Sequence, residues 1–231
     1  MSDYYTVIMI STINSLYGKI AAQERFEQTL EAIESVHRHI LGAKIVFVDN
    51  SNVPINDEWK HEIEKRVEVF HQVQHNILSY YANMTVARKS ESEINMLFEA
   101  LNVVRKHNLY GKRIFKISGR YRIEDTFDIQ EYENPDMIGK FTFAHTTMAS
   151  SEDNWMTQKI THWFEQALIS FCPENMDFLQ NQLFGVLAHH RRTGDCIEET
   201  MFLYIPHEIV HVIPKAHISG IKAESLGVEK H

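Results

Sequence analysis

Cysteine is scarce in this sequence. The 231 residues contain two, Cys172 and Cys196, with no Cys-x-x-Cys pair and no zinc-type spacing. They are expected to be reduced thiols of a cytosol-like compartment. Long apolar runs are missing too, since none approaches the ~20 residues that span a bilayer. The opening, Met1-Ser-Asp-Tyr-Tyr5, carries no basic segment, so a secretory leader is not expected. Together these absences predict a cytoplasmic protein without a transmembrane segment.

Positive charge is also in deficit. There are 23 Lys and Arg against 31 Asp and Glu, a formal net charge of -8. General nucleic-acid binding needs a basic face, so no nucleic-acid partner is expected. A local basic pocket for a diphosphate remains compatible with that charge. No Gly-x-Gly-x-x-Gly follows the first apolar run, and there is no Gly-x-x-x-x-Gly-Lys-Ser/Thr. A dinucleotide dehydrogenase and a P-loop nucleotidase are both disfavoured.

What is present is an ordinary globular composition, 44% hydrophobic and 23% charged, in a chain long enough for one sizeable core. Thr6–Ser11, Lys44–Val48, Val67–Phe70 and Arg113–Ile117 read as short strands, the first two apolar enough to be buried on both faces. Between them, residues 21–40 and Ser92–Asn108 have helical spacing, and Trp59–Lys65 is a shorter helix. Gly42 is expected to stop the first helix. Alternating strands and helices imply an α/β fold with a mainly parallel central sheet flanked by helices. In the second half, Met137–Ala144 and Ile209–Ile213 suggest strands. Asn154–Phe171, Asn175–His189 and Ile197–Tyr204 suggest helices. No linker divides the chain. Residues 1–222 are read as one domain, with a first half to about residue 125 and a second to 222, and 223–231 as a loose tail.

In such sheets ligands bind outside the carboxyl ends of the strands. Thr12 and Asn14 follow the first strand, Asp49, Asn50 and Ser51 the second, and Ser118, Gly119, Arg120 and Tyr121 the fourth. Any one such group is also ordinary turn chemistry. Three at one sheet edge predict a pocket, with Ser51 and Ser118 among its polar lining.

The run Val7–Ile10, the helix Glu24–Ile33 and the segment Ile45-Val-Phe-Val-Asp49-Asn-Ser51 together resemble the opening of GT-A-fold glycosyltransferases. Arg88-Lys-Ser-Glu-Ser-Glu93, leading through a helix to Phe115-Lys-Ile-Ser-Gly-Arg-Tyr121, resembles a subset with a Ser-Gly-Arg-Tyr turn. The resemblance covers roughly residues 5–125 and fades afterwards. It implies a single GT-A-like, Rossmann-like domain whose first half holds a nucleotide sugar and whose second half meets the acceptor. It further implies that Thr12 and Asp49 contact the base and ribose, and that Arg88 and Lys89 face the diphosphate or donor sugar. A carboxylate suits the donors of a base or ribose, and cations suit phosphate oxygens.

One departure matters. Most members carry Asp-x-Asp after the fourth strand to hold a divalent metal, and here that place reads Ser118-Gly119-Arg120. Either Arg120 neutralises the diphosphate directly, or Mn or Mg is held by other groups. By resemblance the late His217 is a candidate ligand, with His211 weaker. Inverting members also use a carboxylate general base at the start of a late helix. Glu199 aligns best there, with Glu198 and Asp195 as alternatives, although acidic residues favour any helix start for dipole reasons. Trp155, Trp163, Phe164 and Tyr204 could stack on an acceptor or simply fill the core.

These readings predict hexose transfer from a nucleotide-diphospho-sugar, a UDP-sugar by expectation, to a glycan, lipid-linked or small-molecule acceptor. Two alternatives remain open. One is a nucleotidyltransferase that makes a nucleotide sugar, though only Gly18 and Lys19 stand where its basic glycine-rich loop would lie. The other is a binding module without catalysis.

Overall fold

Burial of apolar strands on both faces dictates a layered structure, and the computed structural model has one. It describes residues 3–16, 20–73, 89–148, 162–221 and 228–230. Strands β1 (Thr6–Ser11) and β2 (Lys44–Asp49) are buried almost throughout. Their side chains alternate between two cores. Val7, Met9, Ile45 and Phe47 enter one cluster, and Ile8, Ile10, Val46 and Val48 enter the other. This period of two follows from the strand pleat.

Helix α1 (Ala22–His39) covers the first cluster with Phe26, Ala32, Ile33 and Val36. Gly42, at φ +74, makes the turn that follows it. Helix α2 (Asp57–Glu64) begins at Asn56, whose side chain accepts the Trp59 N–H, and leads to β3 (Val69–Gln72). Helix α3 (Lys89–Lys106) covers the second cluster through Ile94, Leu97, Leu101 and Val104. After it come β4 (Ile114–Ser118) and the short β5 (Tyr121–Ile123).

β1 pairs in parallel with β2 and β4, and β2 with β3. The carboxyl ends of all four therefore lie along one edge. Beyond a short turn of helix, α4 (Gln130–Glu133), the sheet is completed by β6 (Phe141–Met148), β7 (His162–Phe171) and β8 (Val210–Ile213). The seven-stranded order is β3-β2-β1-β4-β7-β6-β8. β7 runs antiparallel to both β4 and β6, and β8 is parallel to β6. Helices α5 (Met176–Thr193) and α6 (Ile197–Tyr204) join α3 on the second face. A second sheet places β9 (Ile218–Ile221) between β5 and β10 (Val228–Lys230). Three residues of the stretch expected to be loose are thus strand.

The helix expected over Asn154–Phe171 is corrected. Its described part, His162–Phe171, is strand β7, and 154–161 lie outside the described residues. Ala167 and Leu168 enter one core, while Phe164, Ile169 and Phe171 enter the other. A strand buried on both faces loses the simple alternation that identifies strands. The strand expected from Met137 begins at Phe141, because Pro135–Met137 forms a 3₁₀ turn capped by Asn134.

Candidate functional site at the carboxyl edge

The loops after β1 and β2 are tied together by one carboxylate. Asp49 is fully buried. Its Oδ1 accepts the Ile13 N–H at 3.1 Å and the Ser51 hydroxyl at 3.0 Å. Its Oδ2 accepts the Ser51 N–H at 3.2 Å and Gln72 Nε2 at 2.8 Å. Burial raises its pKa, against the pull of the Ile13, Ser51 and Gln72 hydrogen bonds. Protein donors thus occupy both oxygens. The buried Ser51 accepts the Asn14 N–H at 2.8 Å, and Asn14 Nδ2 reaches the carbonyls of Val53 and Pro54 at 3.0 and 3.1 Å. The Thr12 carbonyl accepts Arg25 Nη1 at 3.2 Å. The edge above β1 and β2 is therefore a cross-linked frame.

Asn50 carries that frame to α3, donating from Nδ2 to Ser92 Oγ at 2.8 Å. One turn of α3 presents Lys89, which is exposed, and Glu93. Glu93 accepts from Lys116 Nζ at 2.5 Å. Lys116 lies inside β4, is 1% exposed, and donates also to the Gln166 carbonyl at 2.8 Å. Burial alone would raise the Glu93 carboxyl. The Lys116 ammonium, helped less by Lys89 and Arg120, brings it below the usual range. Ser118 and the half-buried Arg120 follow on the same edge. Gly119 sits against β1, its N–H bonded to the Ile10 carbonyl at 2.8 Å; a Cβ there would lie 2.8 Å from Ser11 Cβ.

The start of α6 docks on the start of α3, with the Ile197 N–H donating to Ser90 Oγ at 3.1 Å. This settles the neighbouring carboxylates. Glu199 Oε2 accepts the Cys196 N–H at 3.1 Å and closes a capping box on α6. Glu198 is the one that joins the cluster. Burial raises its carboxyl, the Glu93 charge raises it further, and Lys89 partly offsets both. Burial, and then the Glu198 charge, push the Cys196 thiol well above its ordinary value, which leaves it a poor nucleophile. Asp195 is buried with Oδ2 2.9 Å from His189 Nε2.

The structure thus gathers Lys89, Ser118 and Arg120 with Glu93, Lys116 and Glu198, beside the frame of Thr12, Asp49 and Ser51. Arg88 lies outside the described residues. His217 is elsewhere. The pairs Tyr121–Gly220 and Ile123–Ile218 put it at the end of β5 away from Arg120. Its Nδ1 is 2.8 Å from Thr126 Oγ1 and its φ is +53. Among the described residues no three His, Cys, Asp or Glu side chains converge as a metal site requires. His211 is on β8, opposite Thr142 of β6. Phe164 is core, stacked on Phe143 at 4.2 Å, and Tyr204 packs over Gly185. Trp155 and the Trp163 side chain lie outside the described residues.

Sequence reasoning overlooked Lys116 and Glu93. The signal was available: a lysine inside Ile-Phe-Lys-Ile, in a strand buried on both faces, demands an anionic partner.

No protein-family model matches this sequence, and no curated protein matches it either. Solved structures do resemble it. Core-mannan synthase A of Aspergillus fumigatus, in its Mn/GDP form, aligns with TM-score 0.55 and 12% identity over 94% of this chain and 73% of its own. The mannosyltransferase Ktr4p of S. cerevisiae in complex with GDP aligns with TM-score 0.56 and 11% identity over 90% and 68%. The glycosyltransferase GlyE of Streptococcus pneumoniae aligns with TM-score 0.51 and 10% identity over 92% and 45%. The α/β fold with its seven-stranded, mostly parallel sheet is thus that of GT-A-type glycosyltransferases. No helix among the described residues is long and apolar enough to cross a membrane.

Proposed function

We propose that the protein is a glycosyltransferase that moves a hexose from a nucleotide-diphospho-sugar to an acceptor hydroxyl. One observation carries this reading. At the carboxyl edge of a GT-A-type sheet, cations and carboxylates from α3, β4 and α6 converge beside a rigid loop frame. That edge is where such sheets bind ligands. Two of the similar structures carry GDP, so GDP-mannose joins the UDP-hexose expected from sequence as a donor to test.

Each group then has a task. Asp49 holds the Ile13 and Ser51 backbone in place, so that the edge from Thr12 to Ser51 receives the nucleoside. Ser118 lines the floor. Lys89, Arg88 and Arg120 balance the diphosphate, whose charge grows as the bond to the anomeric carbon breaks. The acceptor oxygen attacks that carbon, and Glu198 takes the acceptor proton if the reaction inverts. A raised carboxyl pKa suits a base working near neutrality. Glu199 acts on Glu198 only through the helix cap. The acceptor, a glycan, lipid-linked or small hydroxyl compound, would approach from the α6 side.

Calorimetric titration of UDP and GDP, each with EDTA, tests the site. The wild-type chain should bind at least one of them without metal, and Arg120→Met should weaken that binding about tenfold or more, as expected for a lost charge-assisted contact. Equal affinity in the variant would remove Arg120 from the diphosphate.

A further inference from the structure

Asp49 fixes the direction of a side-chain amide at the carboxyl edge. Gln72 is the last residue of β3 and pairs with Asp49, the last residue of β2. The residue after it is still held, since the Val73 N–H donates to the Asp49 carbonyl at 2.9 Å. Gln72 Nε2 donates to Asp49 Oδ2 at 2.8 Å and to the Asp49 carbonyl at 3.3 Å. A carbonyl oxygen only accepts, so the amide turns its donor end inward. Its Oε1 is thereby left for other partners.

That oxygen is open. Gln72 is half-buried, and among the described residues no donor reaches its Oε1. Buried side-chain atoms without a partner do occur in this protein, as at Tyr132 Oη, but Gln72 Oε1 is not one of them. Solvent therefore reaches it. The edge thus carries an accessible acceptor whose own donor end is committed, held by the carboxylate that also ties down Ile13 and Ser51.

We infer that Gln72 reads the nucleobase, its Oε1 accepting the ring N–H of uracil (N3) or guanine (N1). This rests on the nucleotide-sugar reading above, which lays the nucleoside along the edge from Thr12 to Ser51. The strand order carries the argument. Across the sheet it runs β3-β2-β1-β4, so Gln72 ends the strand farthest in this row from β4 and its Arg120 turn. The base is likewise the end of the nucleotide farthest from the diphosphate. Asp49 does not take this part, because protein donors occupy both its oxygens. A phosphate oxygen offers no proton to Oε1, whereas the ring N–H of uracil or guanine offers one in a fixed direction. Cytosine and adenine carry a bare ring nitrogen at that place, whose lone pair would face Oε1. A site that hydrogen-bonds an N–H rejects analogues that lack it, which makes Gln72 a determinant of donor choice.

The test removes that N–H from the ligand and the acceptor from the protein. UDP, N3-methyl-UDP, GDP, N1-methyl-GDP, CDP and ADP are titrated by calorimetry into the wild-type chain and Gln72→Met. The substitution keeps the length of the side chain and leaves Asp49 its Ile13 and Ser51 donors. Wild type should bind UDP or GDP about tenfold more tightly than its methylated form. In Gln72→Met that ligand should weaken about tenfold, while its methylated form changes by less than about twofold. Equal loss for both forms, as a contact to ribose or a merely structural role would give, overturns the inference and leaves the transferase reading standing. So does no loss for the unmethylated form, or CDP or ADP binding wild type as tightly as the better of UDP and GDP. A wild-type chain that binds none of these nucleotides overturns both. Should Gln72→Met fail to fold, the Gln72 side-chain amide signals of the wild-type protein decide by NMR. They should shift with saturating UDP or GDP and not with the methylated form, and the same response to both overturns the inference.

Discussion

Replacing Glu93 by Gln would expose how the cluster is held together. Lys116 is 1% exposed and has Glu93 as its anionic partner at 2.5 Å, with the Gln166 carbonyl as a neutral one at 2.8 Å. Glu93→Gln keeps the shape and removes the charge. A buried ammonium is then left with neutral acceptors only. Breaking a buried ion pair from one side typically costs about 3–5 kcal/mol. The 17% exposure of the Glu93 side chain places this pair toward the lower end. At about 2–4 °C per kcal/mol for a chain of this size, the melting temperature should fall by roughly 6–12 °C. Lys116→Met should cost less, because Lys89 and Arg120 still balance Glu93. The double variant Glu93→Gln/Lys116→Met should recover part of the loss, giving a coupling energy of at least about 1 kcal/mol in a double-mutant cycle. Calorimetric melts of the four proteins read this directly. Additive single effects, or a shift under about 2 °C for Glu93→Gln, would refute the claim that Lys116 depends on Glu93.

Glu198→Gln should abolish turnover with little change in stability, whereas Glu199→Ala should lose about 1 kcal/mol of stability through the cap and keep most of its activity. Assays beside melts distinguish these, and the reverse pattern would return the base to Glu199. The Glu198 carboxyl is raised by burial and by Glu93, so activity should rise with pH through an apparent pKa above the ordinary glutamate value near 4.5, and Glu93→Gln should move that limb to lower pH. The raised carboxyl also sets the stability sign. Protonated Glu198 is the better-tolerated form, so its contribution is fully present below the unfolded pKa and is lost as pH rises through the folded one. Asp49→Ala strips the acceptors from Ile13, Ser51 and Gln72. It should cost about 2–4 kcal/mol of stability as well as nucleotide affinity, and an unchanged melt would mean that the two loops are held by other groups. Gly119→Ala forces a Cβ within 2.8 Å of Ser11 Cβ, so it should displace the Arg120 turn and lower nucleotide affinity at a cost of about 1–3 kcal/mol; calorimetry and melts check both effects.

The first half of the fold was legible because its strands are apolar throughout and its helices stop where expected, as at Gly42. β7 was misread because its apolar residues point both ways, and spacing alone does not separate that pattern from a buried helix. The loop frame was legible as polar residues at strand ends, though not that Asp49 turns inward. Its four donors come from three separate segments, and only the fold unites them. The choice between Glu198 and Glu199 turns on about 100° of helix rotation, which the sequence constrains weakly. The spacing of Cys196 and Glu199 was nevertheless that of a capping box. His217 was selected for its place near the chain end, but pairing in the second sheet carries it away from Arg120.

The measurement that bears most directly on the transferase reading is release of nucleotide from UDP-, GDP- and CMP-sugars by the wild-type chain, each with EDTA and with added Mn²⁺ or Mg²⁺. The account predicts release of UDP or GDP from its sugar donor, persisting in EDTA and lost in both Arg120→Met and Glu198→Gln. If no donor is turned over and none of these nucleotides binds, the carboxyl edge is not a nucleotide-sugar site and the glycosyltransferase reading is wrong.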